Sequence, residues 1–287
     1  STNSSIGLIY ALKKIFMISK IFIILDETYL FQPTLINRLI NKFGKKKFVG
    51  AIIIKKIPRK NSINKYFLFN LKYFSISEIL IYSLLFLKIF FNKYLNFFFK
   101  SKNTISVENV VRNNHIPYKI VNYSLKNENI YKFINIKKPD LIISSCSLYI
   151  PSEIYKKKNR LCINRHSGKL PDYSGLLPIF HSFCNNENFL YASVNEVRKK
   201  IDSGKILFSL RSKLKTKSLY NAYKISFNLS FNALVGAIKK LKSLKKLNNN
   251  VRSNNRKYYK FPSKNKWLKF RNNGFKLIEW KDLANAE

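Results

Sequence analysis

The amino-acid sequence predicts an α/β fold, a mostly parallel sheet with helices on both faces, carrying a helical insertion and a basic C-terminal tail. Three observations predict it. Lys20–Leu25 (KIFIIL) and Phe48–Ile54 are uninterrupted β-branched and aromatic runs, the pattern of central parallel strands covered on both sides. Between them, Pro33 suits the first turn of a helix running to about Phe43, and Gly44 suits its end. A strand, a helix and a strand joined by short links make a βαβ unit, and that unit implies a parallel sheet.

The remaining elements follow in order. Residues 1–19 are expected to form a short leading helix or an extension. The apolar run within Ile6–Ile24 is broken by Lys13, Lys14 and Lys20, and no small-residue cleavage site of a secretory signal follows it. From Ile79 to Phe99 the chain reads ILIYSLLFLKIFFNKYLNFFF, long enough to raise the question of a membrane span. A lysine at the bilayer centre costs about 2.5 kcal/mol or more, and both Lys88 and Lys93 lie inside the run. Lys88, Asn92 and Asn96 recur every fourth residue, so they are expected to mark the polar stripe of an amphipathic helix. Such a helix docks on the protein or lies on a membrane surface, in preference to spanning.

Thr104–Asn113 is expected as a helix with Thr104 as N-cap. His115-Ile116-Pro117 reads as a turn in which His115 is solvated, Tyr118–Asn122 as a third strand and Asn127–Lys137 as a short helix. Leu141–Ser145 and Leu161–Arg165 are the fourth and fifth strands. Leu176–Cys184 reads as a helix on which His181 is a packed residue, and Tyr191–Val197 and Ile206–Leu210 read as strands. Ser218 caps a long helix to about Leu244, with Leu219, Tyr223, Phe227, Leu234, Ile238 and Leu241 as its buried stripe. These elements divide into residues 1–214, with the insertion at about 60–103, and residues 215–287, the long helix and tail. In the tail Tyr258, Tyr259, Phe261, Trp267 and Phe270 are interleaved with lysines. That pattern suits base stacking and suits equally a tail folded back over the rest of the chain.

Composition narrows the function classes. The 287 residues are 46% hydrophobic, ample for a core, and 54 Lys+Arg against 14 Asp+Glu give a net charge of +40. An A+T-rich coding sequence favours lysine but does not explain the shortage of acids. A field this positive draws phosphate-bearing ligands or nucleic acid. Cys146, Cys162 and Cys184 are odd in number and lack C-x-x-C spacing, which argues against a disulfide framework or a zinc site and fits a reducing cytoplasm. No G-x-G-x-x-G or other phosphate-cradling loop is present, which disfavours a nicotinamide enzyme.

The chemistry concentrates in Ile163–Ile206. Asn164 and His166 sit one residue apart at the end of a strand, and Asp202 follows 36 residues after His166, beside Gly204. An amide and an imidazole can steady a developing oxyanion while a carboxylate orients the imidazole or relays a proton, a set suited to acyl transfer.

This stretch resembles the catalytic core of the 10-formyltetrahydrofolate-dependent formyltransferases, the superfamily of glycinamide ribonucleotide, methionyl-tRNA and nucleotide-sugar formyltransferases. Their Asn-x-His, Leu-Pro-x-Tyr-x-Gly and Asp-x-Gly elements are matched by Asn164-Arg165-His166, Leu170-Pro171-Asp172-Tyr173-Ser174-Gly175 and Asp202-Ser203-Gly204. The resemblance covers roughly Lys20–Leu244. It implies a Rossmann-like formyltransferase fold and a transferase in which a substrate amine attacks the formyl carbon of 10-formyltetrahydrofolate without a metal. It further implies Asn164, His166 and Asp202 as catalytic residues, with Leu170, Pro171, Tyr173, Gly175, Ser145, Ile201 and Gly204 binding the folate. Gly168 and Lys169 depart from the usual Ser-Leu-Leu-Pro run, and Ser193 and Asn195 from the usual Thr-x-His-like pair. Residues after Leu244 lack the regular strands of the β-barrel that follows the catalytic domain in methionyl-tRNA formyltransferases. The expected acceptor is therefore a small, anionic amine such as a nucleotide-linked amino sugar. The alternatives are a methionyl-tRNA formyltransferase-like enzyme binding tRNA, and a non-catalytic relative that binds nucleic acid or, through residues 79–99, a membrane surface.

Overall fold

The computed structural model describes residues 18–58, 62–99, 105–243 and 256–284, with the side chains of 96–99 and 243 left out. The leading segment expected over 1–17, Thr104 and the basic run 245–255 lie outside the described residues.

Seven strands form the main sheet: β1 (Ile21–Asp26), β2 (Phe48–Lys56), β3 (Tyr118–Asn122), β4 (Leu141–Ser145), β5 (Leu161–His166), β7 (Phe189–Glu196) and β8 (Ile206–Lys213). Their order is β3-β2-β1-β4-β5-β7-β8, with two further residues, β6 (Ser174–Gly175), in a small second sheet. The first five are parallel, whereas β7 runs antiparallel to both β5 and β8. In β1 the side chains split by strand alternation, Ile21, Ile23 and Leu25 into one core and Phe22 and Ile24 into the other.

Helices α1 (Gln32–Phe43), α4 (Val107–Asn113) and α8 (Leu219–Ser243) contribute the apolar residues that cover the first face. Helices α5 (Glu128–Lys137) and α6 (Ser152–Tyr155) contribute those on the second. The long helix is capped as expected, Ser218 Oγ accepting from the Asn221 amide at 3.2 Å. For α4 the cap is Ser106, whose Oγ accepts from the Asn109 amide, and the helix starts at Val107. A serine placed just ahead of an apolar helical run satisfies an otherwise orphaned N–H, as a threonine further back does not.

The insertion is α2 (Ile63–Phe69), a 3₁₀ turn (Leu71–Tyr73) and α3 (Ile76–Phe99). Helix α3 docks through a narrow stripe, and Lys88 and Asn92 stand beside that stripe, Asn92 lining a cleft with α1 and α8. The amphipathic expectation is thus altered: the broad apolar side of α3 faces outward, because its polar residues lie next to the packed stripe rather than opposite it. No helix among the described residues is long and apolar enough to cross a membrane.

The tail answers the question its aromatics raised. Tyr258–Tyr259 form β9, which pairs in parallel with β6. Helix α9 (Lys264–Asn272) then buries Trp267 and Phe270 against Phe180 and Phe183 of α7 (Pro178–Cys184). Trp267 is fully buried, stacks on Tyr73 at 5.3 Å, meets Phe180 edge-on at 4.9 Å and donates its Nε1–H to Tyr66 Oη at 2.6 Å. Glu78, at the start of α3, accepts from Arg271 Nη1 and from the Leu277 amide, both at 2.7 Å, so tail and insertion brace each other. Burial raises the Glu78 carboxyl, but the bonds from Arg271, Ser75 and Leu277 outweigh it and hold the pKa below its ordinary value. These ring contacts occupy faces that would otherwise be free to stack on bases. Trp267→Ala is expected to cost about 3–5 kcal/mol, the scale for emptying a buried large aromatic site, measured by urea unfolding of the full chain.

Candidate active site

The carboxyl ends of β4 and β5 lie side by side, where open parallel sheets place their ligands. Strand alternation sends Asn164 and His166 to one side, and Asn164 Oδ1 accepts from Ser144 Oγ at 2.9 Å. Asn164 Nδ2 in turn donates to Asp202 Oδ1 at 3.3 Å. His166 Nδ1 stands 3.6 Å from Asp202 Oδ2, and its Nε2 donates to the Tyr173 carbonyl at 2.6 Å. All three side chains expected at the site are therefore together: His166 and Asp202 are buried, and Asn164 is half-buried.

Asp202 reaches this place by an unusual backbone conformation, left-handed at φ 53°. Aspartate tolerates that region better than most residues. Asp202 Oδ2 also accepts from the Gly175 amide at 2.9 Å, which pins the loop after β5. Gly175 itself adopts φ 98°, and a Cβ there would run into the Tyr259 carbonyl, so a glycine is required where β6 meets β9. At Gly204 a Cβ would collide with the carbonyl oxygen of Glu196. That tight turn lets the chain go from β7 to β8 with Asp202 turned back towards β5.

The residues expected to hold a folate fall into distinct places. Leu170 and Tyr173 are buried in the loop between β5 and α7, and Leu170–Pro171 is a cis peptide. The Tyr173 hydroxyl donates to Glu187 Oε1 at 2.7 Å, while its ring stacks on Tyr259 at 5.5 Å. Ser145 points to the other side of β4, where its Oγ donates to Gln32 Oε1 at 2.7 Å. Ile201 is exposed, and its carbonyl accepts from Arg256. None of the seven lines the cleft next to the Asp202 loop. That cleft, about 580 Å³, is walled by Tyr155, Lys156–Lys158, Arg160, Cys162, Glu196–Lys200 and Ser203.

Several participants were not legible in the sequence. Ser144 was a strand residue among others until β4 placed it beside Asn164. Ser193 stands where a threonine was expected, and its Oγ donates to the Gly168 carbonyl at 2.7 Å and so props the loop after β5. Asp26, the last residue of β1, did carry a signal, since an acid closing a central parallel strand lies at the ligand end of the sheet. Its Oδ2 accepts from the amide and hydroxyl of Ser147 at 2.8 and 2.6 Å, while Oδ1 is buried without a hydrogen-bond partner. Burial pushes the Asp26 pKa up to about 6, against the two Ser147 bonds. His181 is a packing residue: its Nε2 meets the Lys260 carbonyl at 2.9 Å, and burial lowers its pKa to about 4. Among the described residues no cluster of metal-ligating side chains occurs.

Comparison with known proteins finds relatives in sequence and in fold. No protein-family model matches the chain. It is 28% identical over 147 residues to a methionyl-tRNA formyltransferase of Borreliella afzelii, covering 49% of this chain and 44% of that protein. It is 32% identical over 108 residues to the Campylobacter lari enzyme of the same name, covering 37% of this chain and 35% of that protein. The matches thus span less than half the length of these relatives. In fold, the phosphoribosylglycinamide formyltransferase of Anaplasma phagocytophilum superposes with a TM-score of 0.51 at 12% identity, covering 77% of this chain and 85% of that one. HypX from Aquifex aeolicus, solved with tetrahydrofolic acid, gives 0.51 at 10% identity over 87% of this chain and 31% of that one. The sugar 3N-formyltransferase WlaRD gives 0.50 at 14% identity, covering 85% of this chain and 70% of that one. By sequence over part of its length and by fold over most of it, this chain is similar to members of the formyltransferase superfamily.

Proposed function

We propose that this protein transfers a formyl group from 10-formyltetrahydrofolate to a primary amine of a small, anionic acceptor such as a nucleotide-linked amino sugar. The observation that carries the reading is the closed set Asn164–Asp202–His166, held by one carboxylate at the strand ends. The folate supplies an activated one-carbon unit. A folate carries carboxylates, and lysines crowd the cleft that adjoins the Asp202 loop, although its walls include Cys162 at the start of β5 and not Asn164, His166 or Asp202.

The side chains divide the work. Asn164 Nδ2 spends one hydrogen on Asp202, and its second is the donor for the negative charge that develops on the formyl oxygen. The 3.6 Å between His166 Nδ1 and Asp202 Oδ2 is longer than a hydrogen bond, and this pair takes up the proton leaving the amine and returns it to N10 of the folate as the bond from N10 to the formyl carbon breaks. The Tyr173 carbonyl keeps the imidazole ring oriented through Nε2.

A second reading, a tRNA-linked acceptor, is favoured by the names of the curated relatives and by the net charge of +40. Incubating the full chain with 10-formyltetrahydrofolate and, separately, an aminodeoxysugar nucleotide or methionyl-tRNA distinguishes the two. Mass spectrometry should find the added formyl on the sugar; formyl on methionyl-tRNA alone selects the second reading, and formyl on neither rejects both acceptors. Removing the tail is not a clean test for tRNA binding, because Trp267 and Phe270 belong to a core.

Two further outcomes are expected. His166→Ala and Asp202→Asn should each lower kcat about a hundredfold or more, the scale for lost acid–base or oxyanion groups. Asparagine preserves the acceptor for the Gly175 amide and tolerates the left-handed backbone, so an unchanged kcat in that variant would remove Asp202 from the chemistry. For Asp26, a pKa raised from 3.8 to about 6 means that the folded state binds the proton more tightly than the unfolded one. The stability it contributes is complete below the unfolded value and fades as pH rises through about 6. Asp26→Asn should therefore gain in Tm relative to the parent as pH is raised from about 4 to about 7, and a constant difference in Tm would show that the carboxyl does not titrate there.

A further inference from the structure

Helix α3 packs on the protein through Glu78, Ile81, Tyr82, Leu85 and Ile89, at the three- and four-residue intervals of a single stripe. The opposite side carries Leu80, Leu84, Leu87, Phe90, Phe91 and Tyr94, every one at least 36% exposed and Phe90 68% exposed. Only Ser83 interrupts this side, and its hydroxyl donates to the Ile79 carbonyl at 2.9 Å. At 3.6 residues per turn Lys88 falls at one margin of the apolar side and Lys93, whose Nζ stands 5.7 Å over the Tyr29 ring, at the other. No acidic residue occurs from Ile79 to Leu95. Just upstream, Leu68 and Phe69 of α2 are 63% and 68% exposed.

A helix with apolar residues outward and lysines at both margins is built to lie in the plane of a water–lipid boundary, aliphatic and aromatic groups down and ammonium groups at the headgroups. It is not built to cross, and no described helix meets the requirement for crossing. Charge selects the occupant. A second copy of the chain would bring another +40 against the first. An anionic lipid surface would instead be attracted before the apolar contact forms. We propose that the outward side of α3 seats this protein on an anionic bilayer, with the helix parallel to the membrane plane. This reading is independent of the proposed reaction.

The test uses the full chain with extruded vesicles of phosphatidylcholine, alone or with roughly one-third phosphatidylglycerol, separated by flotation. The parent should float with the anionic vesicles and not with neutral ones. Leu87→Lys combined with Phe91→Lys raises the net charge while removing apolar area. It should bind the anionic vesicles at least tenfold more weakly with an unchanged Tm, and Leu87→Ser with Phe91→Ser should weaken likewise if the lysine pair unfolds the chain. Equal or tighter binding by the folded variants would reduce the effect to bulk charge and overturn the proposal. So would a parent that is dimeric by light scattering and becomes monomeric in either variant, because α3 would then be covered by a second copy.

Discussion

The Asp202 carboxylate joins three segments that are distant in sequence. It accepts from Asn164 of β5 and from the Gly175 amide of the following loop, and it faces the imidazole of His166. Each partner needs it for a different reason: the amide for orientation, the loop for closure and the imidazole for a proton partner. The left-handed backbone at Asp202 and the close approach of Gly204 to Glu196 are what deliver the carboxylate there. Local strain and a mandatory glycine at this turn are consistent with a site whose geometry matters more than the stability of its loop.

A second layer supports this first one. Ser144 and Ser193 hold Asn164 and the Gly168 carbonyl from the neighbouring strands, and the tail lies over the loop after β5 through β9 and Tyr259. The same tail continues into α9, where Trp267 and Phe270 enter the core of α7, and it ends braced on Glu78 at the start of the insertion. Of the aromatics that looked free for stacking on bases, Tyr259 stacks on Tyr173, Phe261 on Tyr66 and Phe270 on Phe180 and Phe183, while Tyr258 stays exposed. The insertion and tail thus behave as parts of one packed unit around the loop that bears the site.

Charge is distributed with some purpose within an excess that base composition favours. Lysines crowd the cleft next to the Asp202 loop, while Arg271 is paired with Glu78 and neutralises a buried carboxylate. On α3 the lysines flank an apolar side instead of replacing it. Asp26 is the opposite case, an acid kept in a buried place with one oxygen unpartnered, which shifts its proton affinity upward. In a chain with 14 acids, those in the core are spent where a cation or an N–H meets them.

The order of strands and helices was readable from the amino-acid sequence because buried parallel strands are continuous apolar runs and their helices carry a 3.6-residue period. Asn164, His166 and Asp202 were readable too, since an amide, an imidazole and an acid recur there in the spacing of a known pattern. Three things came only with the tertiary structure. Side-chain alternation decided that Ser144, and not Ser145, meets Asn164, a distinction that depends on strand register. Packing decided that Trp267 and Phe270 are core residues, since composition cannot tell an aromatic that stacks on protein from one that waits for a base. And the direction in which α3 turns its apolar side was set by which stripe docks. Periodicity describes a helix by itself, and only the surface it meets decides which side is left facing out.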